Sequence, residues 1–451
     1  MIPLPFYFVT LTQSTWEEAV HCVNSLPPEA MPELRLDLFP EYAPATLVDA
    51  LGRRCLVSCR RVSEGGQWHG TEVERLERLL AALEARPAWV DLEWELEVPT
   101  EIREHRFHTR LLRSVHVPAG VFDLASRLEN LPEGDAYKWV GIADRLADNA
   151  HLKPLLAHCR DHSIPLSAFL MGPKGLPSRC LQNVWGGAFT YAAPDNGPAA
   201  APGQLPLAIM QGWRLHRLNP TFALCGVMGD PVLHSRGPAF HNLRFQRHFK
   251  DLLYLPLQCA KAEEAAEALE ALAILGVSIT APLKETLPTL LGLQGPLNTL
   301  WRRSITEPWQ GANTDAEALS QALSPLAKGP VLLLGDGGVA ATSRTVLEAQ
   351  GFPCHQASRR SPLSPQEVAA ARPVGVIQAT GLGMQEGDPA PFPDLLEAAL
   401  PTLRWAVEWV YKTETTFADW AQAHDLQIIA GSTLFEAQAE AQSQRFIQEC
   451  G

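Results

Sequence analysis

The first 200 residues alternate short apolar-rich runs with stretches whose apolar residues recur at helical spacing. Eight runs have the length and the β-branched or aromatic content of strands. Between them, segments such as EVERLERLLAALEA (72–85) place apolar residues on one helical face. Strands and helices in this order predict an α/β fold, a compact (β/α)₈ barrel of the TIM type. The predicted strands cover residues 6–12, 33–39, 55–60, 89–95, 110–117, 137–143, 165–172 and 188–193.

Polar and apolar positions also alternate within these strands. In ELRLDLF (33–39) three charged residues share one face and three leucines share the other, and three acids align in DLEWE (91–95). In a barrel, such a polar face points inward and lines an active site at the carboxyl ends of the strands. An antiparallel sheet with one solvated face would show the same alternation.

A second pattern begins near residue 222. AEEAAEALEALAILG (262–276) predicts a helix, and VSIT (277–280) a strand after it. Beyond residue 330, strands near 331–335, 354–357, 374–380 and 404–411 alternate with helices, which predicts a doubly wound Rossmann unit preceded by a smaller α/β unit. We therefore predict a barrel over 1–218, a substrate-binding domain over 219–325 with the C-terminal helix region 432–451, and a nucleotide-binding domain over 326–431.

Composition narrows the class of protein. A chain of 451 residues exceeds what one hydrophobic core sustains, and a formal net charge of −13 argues against nucleic acid or an anionic membrane as a partner. The sequence has neither a membrane-length apolar run nor a signal-peptide pattern at its start. Nine cysteines without metal-ligand spacing predict reduced thiols, a cytoplasmic location and no metal site.

The segment VLLLGDGGVAATSR (331–344) predicts a dinucleotide site. Gly335, Gly337 and Ala340 fit the spacing for a tight turn, close approach of a pyrophosphate and helix–strand packing. About twenty residues later, where an acid would bind the ribose of NAD, the chain has Ser358, Arg359 and Arg360. Two guanidinium groups suit a 2′-phosphate, so NADP is the predicted cofactor. The alternatives are a simple tight turn and two solvated arginines.

Eight segments of the second half, in order, resemble shikimate dehydrogenase. They are GVMGDPVLHSRGPAFHN (226–242), VSITAPLKE (277–285), GPLNTL (295–300), GANTD (311–315), the glycine loop, QATGLGM (378–384), EWVY (408–411) and GSTLFEAQ (431–438).

The resemblance implies that Lys284 and Asp315 are the catalytic pair. A ketone reduced by hydride needs a proton donor at the forming alkoxide, and the carboxylate would position the lysine. Gly338, Thr380 and Gly431 fall at implied cofactor positions. One departure is Gly237, which replaces a second carboxylate-binding serine. The implied substrate-binding residues are Ser235, Thr280, Asn298, Tyr411 and Gln438.

The first half resembles type I 3-dehydroquinate dehydratase. The matching segments are ELRLD, CRRVSEGG (59–66), VDLE, SVH (114–116), YKWVGIA, MGPKGLPSR (171–179) and APGQ (201–204). The resemblance implies a Schiff base between a lysine and the substrate ketone, followed by removal of water through a general base.

Lys138 is the implied amine and His116 the implied base. Only three lysines precede residue 210, and Lys138 opens an apolar strand, where loss of water lowers an amine pKa. Lys174, in MGPKG, is the alternative amine. The segment 192–204 has the composition of a linker, but Gln204 matches the family, so we predict the last barrel loop, folded over substrate. Ala200 replaces a family serine there. The implied substrate-binding residues are Glu33, Arg35, Arg60, Glu64, Arg179 and Gln204.

Together the two resemblances predict a bifunctional enzyme of the shikimate pathway. The first half would convert 3-dehydroquinate to 3-dehydroshikimate, and the second would reduce that product to shikimate with NADPH. Gly237 and Ala200 leave open a quinate-type dehydrogenase with a weakened dehydratase half. A non-catalytic metabolite-binding protein is a further alternative, which the acid–base residues disfavour because binding alone does not need them.

Overall fold

A computed structural model describes residues 4–105, 108–117, 122–385, 387–411 and 415–451. The chain divides into two compact units, Met1–Ile274 and Leu275–Gly451. The first unit therefore holds the barrel together with the beginning of the second sequence pattern. The predicted three-domain division at 218 and 325 stays a prediction. Within the described ranges, no helix combines the length and the apolar character needed to cross a membrane.

Eight parallel strands form the barrel of the first unit. They pair in the order β7-β6-β5-β4-β3-β2-β1-β8, and the amide N–H of Ala188 donates to the carbonyl of Leu166 at 2.8 Å where the two ends of the sheet approach each other. Neighbouring strands in this order run parallel, which rules out the antiparallel alternative. The strands are β1 Tyr7–Thr10, β2 Ala30–Arg35, β3 Leu56–Ser58, β4 Trp89–Glu93, β5 Arg110–His116, β6 Ala136–Ile142, β7 Leu166–Met171 and β8 Thr190–Ala192.

Helices follow the strands and cover the outside of the barrel. The segment 72–83 shows why: Thr71 and Glu74 close a capping box at its start, and its inward face buries Leu79 and Leu83. The helices are α1 Trp16–Asn24, α2 Pro44–Ala50, α3 Glu72–Leu83, α4 Thr100–Glu104, α5 Phe122–Leu128, α6 Leu152–Asp161, α7 Leu176–Cys180, α8 Gln182–Trp185 and α9 Leu207–Gly212.

The remainder of the first unit continues with two parallel strands and two helices. These are β9 Ala223–Gly229, α10 Gly237–Arg247, β10 Leu252–Gln258 and α11 Ala262–Ala271. The α11 helix packs against residues 146–151 of the barrel, and α7 packs against β10.

The second unit contains an antiparallel set of three strands and a five-stranded parallel sheet. The parallel sheet has the order β15-β14-β16-β17-β18, so strand order reverses beside β14 as in a doubly wound nucleotide-binding fold. The elements are β11 Ile274–Ile279, α12 Leu283–Leu290, β12 Thr299–Trp301, β13 Gln310–Ala312, α13 Thr314–Leu323, β14 Val331–Leu334, α14 Gly338–Ala349, β15 Cys354–Ala357, α15 Pro365–Ala371, β16 Gly375–Gln378, α16 Pro393–Ala399, β17 Trp405–Glu408, α17 Thr416–Ala423, β18 Gln427–Ile429 and α18 Gly431–Glu449.

The barrel and Rossmann predictions are confirmed, but several element boundaries differ from the predicted ones and one strand of the parallel sheet was missed. The strand predicted at 33–39 runs from 30 to 35, because the chain turns at once so that Asp37 can bind Arg35. The helix predicted over 262–276 ends at Ala271, where Ala273 takes a positive φ of 54° and the next strand begins. The short strand β18, at the edge of its sheet, was not predicted.

Candidate active sites

Lys138 projects into a cavity of about 350 Å³ at the carboxyl end of the barrel. Alternation along β6 sets this direction, because Lys138, Val140 and Ile142 all line the cavity. Trp139 faces outward and donates its indole N–H to Asp123 at 3.2 Å. The lysine is 4% exposed, and its Nζ lies 3.8 Å from the centre of the Tyr191 ring. Burial and the positive charge of Arg60 lower its pKa to about 7, although the carboxylates of Glu33 and Asp91 act in the opposite direction. A free amine is therefore available near neutral pH.

His116 lines the same cavity from the adjacent strand. In the β5–β6 register Ser114 faces Lys138, and His116 lies two residues further along, on the same face. Its Nδ1 lies 3.1 Å from Oε2 of Glu64, and both ring nitrogens contact Nη1 of Arg60. Since a guanidinium group can only donate, the imidazole must offer a lone pair and is neutral.

Electrostatics around His116 also favour the neutral form. Burial and four cations hold its pKa well below the usual value; the cations are Arg60, Lys138, Arg35 and Arg179. The pKa of its neighbour Glu64 is raised to about 7 by burial and by the nearby carboxylates of Glu93 and Asp91. His116, the base predicted from the sequence, is thus neutral and has an unprotonated ring nitrogen.

Glu33 contributes a negative charge beside this group of cations. Its Oε2 accepts a hydrogen bond from Thr10 at 2.6 Å, and its Oε1 lies 3.6 Å from Nη2 of Arg60. Burial opposes its ionisation, but Lys138, Arg60 and Arg35 together lower its pKa below the ordinary value. An ionised carboxylate therefore sits beside the amine and can orient a hydroxyl or the ammonium group.

Three arginines that line the cavity can bind an anion. Arg35 is held by Asp37, at 2.8 Å from Nε to Oδ1, and Arg60 by Asp91 at 3.2 Å. Arg179 stacks over the Phe169 ring at 4.2 Å, is 3% exposed, and its Nε has no hydrogen-bond partner among the described residues. Burial lowers its pKa to about 10. Such a partly uncompensated guanidinium suits a substrate carboxylate.

The segment predicted as the last barrel loop does cover the cavity. Ala200, Ala201, Pro202 and Gln204 line it, and the amide oxygen of Gln204 accepts the N–H of Ala200 at 2.9 Å. The side chain at position 200 is a methyl group, so the hydroxyl contact expected of a serine is missing. Lys174, the alternative amine, is not among the lining residues.

In the second unit, Lys284 and Asp315 form an ion pair at the mouth of a cavity of about 300 Å³. The Nζ of Lys284 donates to Oδ2 of Asp315 at 2.7 Å. Lys284 lies in the first turn of α12 and Asp315 in the first turn of α13, so the pair joins the starts of two helices. Asn298 and residues of the glycine-loop helix, Gly338 and Thr342, line the same cavity.

Asn298 is held by hydrogen bonds at the edge of this cavity. Its Oδ1 accepts the N–H of Thr314 at 2.8 Å, and Thr314 in turn contacts Gln438 at 3.4 Å. Thr280 directly follows β11 and is half-buried. Tyr411 stacks on Phe435 with ring centres 4.7 Å apart. Asn298 lines the cavity, whereas Thr280, Tyr411 and Gln438 are not among its lining residues.

Ser235 belongs to the first unit, in the turn before α10. Its Oγ accepts the N–H of Gly237 at 3.1 Å. A Cβ on Gly237 would lie 3.2 Å from that Oγ and 3.3 Å from the Tyr254 ring. The missing second hydroxyl therefore coincides with tight packing at position 237.

The glycine loop fits a bound pyrophosphate. Gly335 has a φ of +123°, and a Cβ there would lie 2.5 Å from the carbonyl oxygen of Ala379, so the tight turn needs glycine. Gly337 is the N-cap of α14, and a Cβ on Gly337 or Gly338 would meet nothing within 4 Å. Ala340 is fully buried against the sheet. Open backbone at a helix N-terminus is the arrangement that accepts phosphate oxygens.

The other predicted cofactor residues lie after β15, after β16 and at the start of α18. Ser358 is buried and accepts the N–H groups of Arg360 and Ser361 at 3.2 and 3.0 Å, which shapes the turn after β15. Arg359 and Arg360 are exposed, and Arg360 lies 3.9 Å from Asp336. Thr380 follows β16 and caps its turn through the N–H of Leu382 at 3.1 Å, and Gly431 begins α18.

Sequence reasoning missed three residues that line or brace the barrel cavity. Thr10 and Tyr191 line it, and Asp91 binds Arg60. Each lies on a strand at a position whose neighbours two residues away also face inward. Strand alternation was the available signal, but it needs the exact strand ends.

With this geometry established, comparisons with known proteins become informative. The family model for type I 3-dehydroquinase matches residues 7–213. A 3-dehydroquinate dehydratase from Dehalococcoides mccartyi is 35% identical over 185 residues, which cover 40% of this chain and 82% of that protein. The chain belongs to the type I 3-dehydroquinase family. Its dehydroquinase barrel is the part of the first unit that contains Lys138 and His116.

The second half matches a different family model. Residues 227–294 match the substrate-binding domain of shikimate dehydrogenase. A bifunctional 3-dehydroquinate dehydratase/shikimate dehydrogenase of Arabidopsis thaliana, described as chloroplastic, is 27% identical over 346 residues; the match covers 68% of this chain and 56% of that protein's length. A solved dehydroquinate dehydratase and shikimate dehydrogenase from S. pombe aligns over 99% of this chain and 96% of its own, at 20% identity and a TM-score of 0.42.

Proposed function

We propose that the chain catalyses two consecutive reactions. The dehydroquinase barrel dehydrates 3-dehydroquinate to 3-dehydroshikimate, and the second half reduces 3-dehydroshikimate to shikimate with NADPH. The observation that most directly supports the dehydration is that one cavity contains a buried amine of lowered pKa, a neutral imidazole and three arginines. The nine cysteines, which lack metal-ligand spacing, support a cytoplasmic location as part of this proposal.

The dehydration begins at Lys138. Its lone pair attacks the ketone carbon, and loss of the carbonyl oxygen as water leaves a protonated Schiff base. His116 then removes a proton from the adjacent carbon, and the electron pair moves into the C–N system. Expulsion of the β-hydroxyl, which takes its proton from the imidazolium, releases a second water. Hydrolysis of the Schiff base consumes one water and frees the enone product and the amine, so the net change is loss of one water.

The cations around His116 explain how an imidazole of low pKa can still act as a base. In the free site Arg60, Lys138, Arg35 and Arg179 all disfavour the imidazolium. A substrate carboxylate bound by these arginines offsets their charge, and it competes for the Arg60 donor that now contacts the ring. Substrate binding therefore raises the basicity of His116 at the time when the base is needed.

In the second half, Lys284 and Asp315 act on the ketone oxygen. The glycine loop would hold NADPH, and Arg359 and Arg360 would bind its 2′-phosphate. When bound, NADPH would supply the hydride. The Lys284 amine stabilises the developing alkoxide and gives it a proton, while Asp315, 2.7 Å away, orients the amine. Asn298 lines the same cavity and would bind a ring hydroxyl.

Borohydride reduction in the presence of 3-dehydroquinate tests the barrel. Wild type should gain the mass of one reduced adduct, located at Lys138 by peptide mapping. Lys138→Ala should gain none, and Lys174→Ala should still gain the adduct at saturating substrate. Lys153→Ala, exposed on α6, is the control that should behave as wild type. No adduct in wild type, or an adduct at another lysine, overturns the dehydratase assignment.

Steady-state reduction of 3-dehydroshikimate tests the second half. Lys284→Ala should lose about a hundredfold or more in kcat while it still binds NADPH, as measured by fluorescence titration. Lys328→Ala, remote from the cavity, serves as the control. Unchanged turnover removes Lys284 from its role, and faster turnover of quinate than of shikimate in the oxidative direction would favour the quinate-type alternative.

A further inference from the structure

Lys174 remains without a role in the chemistry, and its contacts indicate one. Its Nζ donates to the carbonyl of Asp144 at 3.0 Å and lies 2.7 Å from Oε1 of Glu264. Lys174 belongs to the loop after β7 and Asp144 to the loop after β6, so one amine joins two loops at the catalytic end of the barrel. Glu264 is in the first turn of α11, beyond the barrel and within the segment that matches shikimate dehydrogenase.

The α11 helix makes a second ion pair with the same end of the barrel. Glu267, one turn after Glu264, lies 2.8 Å from Nη1 of Arg145. Glu264 also accepts the N–H of Leu146 at 3.4 Å. The side chain of Glu264 is only 12% exposed and that of Lys174 30%, so water screens this pair less than a surface pair. A carboxylate in the first turn of a helix also interacts favourably with the helix dipole.

The two loops fixed by α11 support the dehydratase cavity. β6 carries Lys138, and Ile142 at its end lines the cavity. The loop that contains Lys174 leads into α7, which carries Arg179. Residues 200–204, which cover the cavity, pack closely on this loop, because a Cβ on Gly203 would lie 2.9 Å from the carbonyl oxygen of Gly172. Lys174 thus connects α11 to the loop that leads into α7 and that the backbone at Gly203 approaches.

We propose that Glu264 and Lys174 are positioning residues for the dehydratase. A helix that belongs, by sequence, to the reductase half holds the mouth of the barrel in the geometry that closes over an anionic substrate. This proposal rests on the dehydratase function proposed above. It predicts that disturbing α11 weakens capture of 3-dehydroquinate without impairing the amine or the base.

A double-mutant cycle tests the proposal in the full-length chain. Glu264→Gln and Lys174→Met should each raise the KM for 3-dehydroquinate about threefold to tenfold with kcat little changed. The double variant should be no worse than either single variant, because both remove the same ion pair. Glu263→Gln, on the exposed side of the same helical turn, should match wild type.

The outcomes separate this proposal from the proposed function. If wild type forms the borohydride adduct and Glu264→Gln keeps the wild-type KM, only the positioning role is overturned. Equal losses in Glu263→Gln, or additive losses in the double variant, overturn it as well. If Glu264→Gln does not fold, Arg145→Gln removes the second ion pair from the barrel side and should raise the KM in the same way; an unchanged KM there also counts against the proposal.

Discussion

The amino nitrogen of Lys138 lies 3.8 Å from the centre of the Tyr191 ring. The contact spans the closure of the barrel, because β6 and β8 lie near opposite ends of the sheet. An aromatic face attracts a cation, while the apolar surroundings of the ring disfavour one. Tyr191 therefore acts on Lys138 in two opposing ways, and both can be measured.

The pH dependence of Schiff-base formation should follow the pKa of Lys138. The free amine is the nucleophile, and burial has lowered its pKa to about 7. The initial rate of borohydride-trapped adduct formation should therefore rise with pH and pass its midpoint near 7. Intact-protein mass spectrometry after short reaction times gives this rate. A midpoint near the usual lysine value would show that the amine is not desolvated.

Removing the aromatic ring should lower the midpoint further. Tyr191→Leu keeps an apolar neighbour but loses the ring that stabilises the ammonium form, so the pKa of Lys138 should fall by about half a unit to one unit. Tyr191→Phe keeps the ring and should leave the midpoint close to that of wild type. The same trapping assay applies, and identical midpoints for both variants would exclude the cation–π contribution.

The Tyr191 hydroxyl should lower the free energy of unfolding. It is buried and has no hydrogen-bond partner among the described residues, which costs about 1–3 kcal/mol for a polar group removed from water. Tyr191→Phe should therefore raise the free energy of unfolding by about 1 kcal/mol in urea denaturation. A loss of stability would mean that the hydroxyl has a partner, such as an ordered water.

Two glycines of the nucleotide loop should respond differently to alanine. Gly335→Ala forces a Cβ to within 2.5 Å of a carbonyl oxygen at a φ of +123°, and should lower the free energy of unfolding by about 2–4 kcal/mol. Gly337→Ala has open space around its Cβ and should fold normally but bind NADPH more weakly. Thermal unfolding and NADPH titration separate the two effects. Equal destabilisation in both variants would refute the distinction.

Cofactor preference should depend on the exposed arginines after β15. Arg359→Ala should raise the KM for NADPH about tenfold or more and leave the KM for NADH nearly unchanged, because only NADPH carries the 2′-phosphate. Arg360→Ala should have a smaller effect, since its guanidinium lies near Asp336. Equal effects on both cofactors would place the arginines away from the phosphate.

The sequence by itself determined the order of elements and supplied the candidate residues for the proposed chemistry. Alternation in the strands and helical spacing between them specified the barrel, because both periods arise from local backbone geometry. Lys138, His116 and Lys284 were predicted from short motifs that resemble those of two families, and their roles stay predictions. Strand ends were less certain, since a turn such as the one at Asp37 depends on Arg35 and on the backbone of Arg60 and Gln67.

Only the tertiary structure decided the electrostatics and the neighbours. The apolar strand predicted a lowered pKa for Lys138, but the charges that act on Lys138 and His116 lie on other elements, which no local pattern encodes. The contact of Tyr191 with Lys138 exists because the barrel closes. The pairing of Lys174 with Glu264 joins residues 90 positions apart, on the barrel and on the helix α11. Such contacts depend on packing between distant segments, and so the sequence could name the reacting groups but not the surroundings that prepare them to react.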